Sequence, residues 1–140
     1  MGVSENPVWL DSSLTSGKAF DGTWSTTLTS VRDVKEPATG QVLSQVGIAS
    51  AADMRAAIDR AHAAQPAWAA MGPRERSAVF HRAAAILQQH FAELALTIAR
   101  ETGGIVPKGQ HEVNESITLC HLAAGQPKPA QGQVLPRAPG

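Results

Sequence analysis

The chain has no tyrosine, one cysteine and no formal net charge, and the last two each narrow the functions it can have. One cysteine cannot close an internal disulfide, which fits a reducing compartment. Twelve basic residues balance twelve acidic ones, so no basic surplus exists to neutralise phosphates, and nucleic acid is not an expected partner. No apolar run approaches the roughly 18 residues that span a bilayer. Residues 1–14 also lack the charged start and apolar centre of a secretory signal. No membrane partner is expected, and the expected location is cytoplasmic. A phosphate-cradling loop of the G-x-G-x-x-G type is missing as well, although the chain carries 12 glycines.

What is present is enough for one modest domain. The chain has 140 residues, 43% of them hydrophobic, which is the size of a single ordinary core. Aromatics supply only 4%, and much of the apolar content is alanine, which buries little area per residue. Alanine-rich helices are stable as helices yet give thin cores when packed only on one another. Such a domain is expected to want a partner surface.

Along the chain, residues 1–17 are polar and aperiodic and read as a flexible amino-terminal arm. Phe20 and Trp24 flank the Asp21-Gly22 turn pair, which predicts a short hairpin. Residues 27–34 are rich in β-branched types and read as a strand. Glu36-Pro37-Ala38-Thr39-Gly40 is a tight turn, and Val42, Leu43, Val46 and Ile48 make its antiparallel partner. From Ser50 the period changes to 3.6. Ser50 with Asp53 resembles a capping box, and Met54, Ile58, Ala61, Ala64 and Trp68 share a face. Pro66 is expected to end or kink this helix near Gln65. Pro73 opens the next helix, whose stripe of Val79, Phe80, Ala83, Ile86, Leu87, Phe91 and Leu94 breaks near His90. Thr102-Gly103-Gly104 is the stop. A last helix starts near Pro107 and reaches Gly125 through Val113, Ile117, Cys120 and Ala124. Residues 126–140 form a Pro-rich tail in which Gln133-Val134-Leu135 is strand-sized. The fold class is therefore α/β but partial: a short antiparallel strand pair followed by about four helices. The helices are expected to lie on a sheet supplied by further sequence.

Several pieces carry a family likeness in order. Glu36-Pro37-Ala38-Thr39-Gly40-Gln41-Val42-Leu43 resembles the inter-strand turn "dPaTGevl" of aldehyde dehydrogenases. Ala61, Ala64 and Trp68 match that family's "A-x-x-A-x-x-x-W" helix end, with Pro73-Arg74-Glu75-Arg76 following. Arg100-Glu101-Thr102-Gly103 is similar to its "x-E-x-G" stop. Gly132-Gln133-Val134-Leu135-Pro136 is similar to the "G-x-x-x-P" opening of its bridging arm. The chain thus resembles the amino-terminal segment of the aldehyde dehydrogenase superfamily over residues 18–125 and into the tail. The variant Gly103-Gly104-Ile105-Val106-Pro107-Lys108 points within it to the benzaldehyde-type members. The resemblance implies an incomplete piece of the nucleotide-binding domain. It also implies a parent reaction in which aldehydes are oxidised to acids with NAD or NADP, by a cysteine thiolate and a glutamate-activated water. In the family those groups lie beyond position 140, so no catalytic, cofactor-binding or metal residue carries over. No cofactor is expected for this chain alone.

Cys120 is late in a helix, where the dipole does not favour a thiolate, so it reads as a small buried hydrophobe. His111 and Glu115, four apart, share a face, but two ligands do not make a site. By the resemblance this pair would line the substrate passage of a complete enzyme. His81 and His90 read as unrelated. Arg74, Glu75, Arg76 and Arg82 read as a solvated face.

The functional expectation is a stand-alone polypeptide that is non-catalytic by itself. It would act as an accessory or scaffolding subunit that binds a partner enzyme or self-assembles. The 140-residue length and the start at Met1 favour that over the alternative, a truncated piece of an aromatic-aldehyde dehydrogenase. The expected partner is another protein chain. Val134, Leu135, Trp68, Phe80 and Phe91 are the expected interface.

Overall fold

A computed structural model describes residues 16–20, 22, 24–26, 30–126 and 132. The expected arm over residues 1–17 and the expected tail therefore lie almost wholly outside the described residues.

Strands β1 (Lys18–Phe20) and β2 (Trp24–Thr26) pair antiparallel, with Phe20 opposite Trp24. Those two rings meet edge to face with centroids 5.2 Å apart, and Gly22 between the strands has φ 110°, a region that glycine enters without a Cβ penalty. Strands β3 (Ser30–Lys35) and β4 (Val42–Ile48) form a second antiparallel pair. Its register sets Asp33 opposite Gln45, and the Gln45 amide donates to the Asp33 carboxylate at 2.8 Å. The register slips between Val34 and Lys35, a bulge beside the two buried residues Leu43 and Ser44;. The turn closes as its residues dictate. Gly40, at φ 75°, donates its N–H to the Glu36 carbonyl. The Thr39 hydroxyl donates to the Glu36 carboxylate at 2.6 Å.

Helix α1 (Ala51–Ala70) starts at a full capping box: the Asp53 N–H donates to the Ser50 hydroxyl oxygen, and the Ser50 N–H donates to the Asp53 carboxylate. The expected break at Pro66 does not occur; the helix runs on to Ala70. Pro66 removes one N–H from the ladder, and residues 58–70 are all exposed, so water can serve the carbonyl left without a donor. Helix α2 (Pro73–Gln89) opens on Pro73, with the Glu75 carboxylate accepting from the Gly72 N–H at 2.8 Å. The chain breaks at His90 as its pattern predicts. Helix α3 (Phe91–Thr102) then stops at Gly103 in the left-handed region, φ 73°;. Helix α4 (Val106–Gly125) completes the order.

Helix α4 packs along both α2 and α3, while α1 meets them only sparsely, with Trp68 near its end against Phe80 of α2. Small residues make the close contacts. Gly109 sits directly over the Ala95 backbone, and Ala84, Ala95, Ala99, Val113 and Ala124 fill the seams. Four of the six buried apolar side chains are alanines, and no large side chain is fully buried among the described residues. The expected thin core is what the structure contains.

Candidate functional site

Two constructions stand out, one polar and one aromatic, and both are joints. In the first, the Arg100 guanidinium on α3 donates to Glu36 at 2.8 Å, tying the β3–β4 turn to the helices across 64 residues of chain. Pro37 packs against Gly103 on the same side. The Thr39 hydroxyl and then Arg100 hold the Glu36 carboxyl below the usual carboxylate range;. Ala38, Leu96, Ala99 and Val106 line a small groove of about 190 Å³ around this clasp. Sequence reading missed it because nothing local pairs residues so far apart.

The second joint lies where α1 ends beside α2 and α4. Trp68 meets Phe80 edge to face with centroids 6.3 Å apart. With Arg76, Ala123 and Gln126 they line an open groove of about 250 Å³. The Arg76 Nε–H is buried and donates to no partner among the described residues. Arg76, read from sequence as solvated surface, is therefore half-buried in a wall.

Of the expected interface, Trp68 keeps 38% of its surface exposed, while Phe80 and Phe91 are half-buried. Val134 and Leu135 lie outside the described residues. His111 and Glu115 are both exposed on α4. Cys120 is half-buried rather than fully buried. His81 lies beside His121 across the α2–α4 seam and not with any neighbour the sequence spacing offered. Among the described residues no three His, Cys, Asp or Glu side chains converge as a metal site. No helix among them is long and apolar enough to cross a membrane.

Strand pairs followed by a row of helices that lack a covering sheet are the layout of part of an α/β nucleotide-binding domain. The chain belongs to the aldehyde dehydrogenase family, whose profile matches residues 24–140. It is 41% identical over 128 residues to a vanillin dehydrogenase of Amycolatopsis sp., covering 91% of this chain and 26% of that protein. It is 35% identical over 136 residues to the benzaldehyde dehydrogenase [NAD(+)] of Pseudomonas putida, covering 97% and 27%. The crystal structure of an NAD-dependent benzaldehyde dehydrogenase from Corynebacterium glutamicum superposes with a TM-score of 0.76 at 27% identity, over 90% of this chain and 27% of that one. The chain thus spans about a quarter of the length of the relatives it matches. The expected fold, a partial α/β unit from the amino-terminal part of the dehydrogenase, agrees with these likenesses.

Proposed function

We propose that this polypeptide does no chemistry alone and works as a docking piece. Its apolar faces receive the remaining part of an aromatic-aldehyde dehydrogenase fold, and the assembled whole oxidises aldehydes to acids with NAD or NADP. The observation that carries the reading is the mismatch between a core of mostly alanine and the large side chains left in water. Met54 and Ile58 on α1, Ile86 on α2 and Leu119 and Leu122 on α4 are all exposed, and patches of this kind mark interfaces.

The strand-to-helix junction from β4 into α1 supports the non-catalytic half of the proposal. In a dinucleotide fold this is where a glycine loop and free helix amides hold phosphate. Here no glycine loop is present, and the Asp53 carboxylate already occupies the Ser50 N–H. A negative group at that point disfavours a phosphate, which supports reading this junction as a helix cap;. Cys120 forms no hydrogen bond to a base among the described residues, so its thiol is not set up as a nucleophile.

A second reading makes the covering partner a different enzyme chain, for which this polypeptide is a scaffolding subunit. The outer edges of the two-stranded β3–β4 sheet favour it, since another chain can extend them. Val134 and Leu135 in the tail would belong to the same interface.

The test is an assay of NAD(P) reduction with benzaldehyde and vanillin. The pure chain should give none. Co-production with the remaining three quarters of a related dehydrogenase should give a complex with aldehyde-dependent reduction. Reduction by the pure chain that Cys120→Ala abolishes overturns the docking reading. Capture of an unrelated enzyme, with no activity in the co-produced complex, moves the balance to the scaffolding one.

A further inference from the structure

Antiparallel packing of α2 on α4 brings Ser77 to the carboxyl end of α4, where its hydroxyl donates to the Ala124 carbonyl oxygen. One turn further along α2 is His81, which therefore meets His121, about one turn back along α4. The two rings lie 5.6 Å apart, centre to centre, with a 48° tilt between their planes. Both side chains are exposed, so an ion can reach them without stripping water from a buried site.

We propose that His81 and His121, too few to make a closed metal site, form instead a labile two-imidazole clip for a divalent transition-metal ion, joining α2 to α4. An ion bound by imidazole sits about 2.0–2.1 Å from each ring nitrogen, and at a tetrahedral angle this holds two ring centres roughly 5 Å apart. The observed centre-to-centre spacing is close to that value. Imidazole selects copper(II), nickel(II) and zinc(II), whereas magnesium and calcium require oxygen ligands. The absence of a third converging ligand among the described residues leaves the remaining positions to water. The clip is therefore exchangeable, unlike a closed structural zinc site. Binding to the folded helix pair alone stabilises it by mass action.

Calorimetric titration of the purified, metal-free chain with nickel(II) and with copper(II) tests this. One ion should bind per chain. His81→Gln and His121→Gln should each weaken binding by about 10²-fold, the gain a second tethered ligand supplies, with helicity unchanged. His111→Gln, on the other flank of α4, should bind as the unmodified chain does. Electron paramagnetic resonance of the copper(II) form should show two imidazole nitrogens, both in the unmodified chain and in His111→Gln, which decides the matter even if one variant loses helicity. Binding that survives His121→Gln, an equal loss in His111→Gln, a single coordinated nitrogen, or an ion bound only between two copies in sedimentation overturns the clip.

Discussion

Gly109 has no room for a side chain, because a Cβ there would collide with the main-chain carbonyl of Ala95. Replacing a helix-interior glycine by alanine ordinarily gains about 1 kcal/mol of helix propensity, and Gly109, in the first turn of α4, gains less than that. Overpacking a tight seam costs about 1–3 kcal/mol, and here the obstacle is backbone, which cannot swing aside. The clash wins, and Gly109→Ala should lower stability by about 1–2 kcal/mol in urea unfolding. Gly125→Ala should be neutral or slightly stabilising, since nothing lies within 4 Å of a Cβ added there. The carboxylates give a second expectation at this scale. Glu36 is held below its ordinary value by the Thr39 hydroxyl and Arg100, and Asp53 by the Ser50 N–H and hydroxyl. An unfolded chain binds protons at these groups before the folded one does, so stability rises with pH through this range. Their contribution should be whole above the ordinary carboxylate values of 4.5 and 3.8 and should be lost as pH falls through the lower folded values. Glu36→Gln should flatten the acid limb of a stability–pH profile measured by circular dichroism. An unchanged limb would show that the clasp does not contribute.

At the scale of elements, the sequence was legible where a local pattern carries its own cause. The β3–β4 turn, the Ser50 cap, the Pro73 entry, the break at His90 and the Gly103 stop each rest on residues within a few positions of one another. Packing was less legible. The stripe of Met54, Ile58 and Trp68 looks like a core face, yet α1 buries no residue; its period is helical, and nothing in a period says which surface covers it. Pro66 misled for a related reason, since an exposed helix end tolerates a missing ladder bond that a packed one would not. The clasp between Glu36 and Arg100 and the seam at Gly109 depend on contacts far apart in sequence and left no local mark. The isolation of α1 has a measurable consequence. Its amides should exchange with deuterium faster than those of α2–α4, because few buried contacts hold it. At dilutions where the chain is monomeric, Ile58→Asp should change stability by no more than about 0.5 kcal/mol, whereas Val113→Ala in the α4 seam should cost about 2 kcal/mol. Equal protection of α1 and α4 amides would mean that α1 is already covered in solution.

For the whole molecule, burial decides the state of assembly. Among the described residues the buried apolar set is Leu43, Ala84, Ala95, Ala99, Val113 and Ala124, and four alanines bury little area. Against it stand Ile58 at 60% exposure and Leu122 at 61%, with Met54, Ile86, Ile105 and Leu119 in the same condition. A fully covered side chain of this size gains about 1.5–3 kcal/mol, so covering even three of them matches a large share of a small domain's net stability of about 5–15 kcal/mol. Association is therefore the cheapest route by which this chain lowers its free energy when the rest of a dehydrogenase fold is not there to cover it. At micromolar concentration the purified chain should sediment as dimers or larger species. Ile58→Asp combined with Leu122→Asp should shift it toward monomer while leaving helicity nearly unchanged. A compact monomer that unfolds cooperatively at that concentration would remove the argument, because it would show that four alanines, a leucine and a valine suffice. Charged substitutions that leave the assembly intact would instead place the interface on the strand edges or the tail.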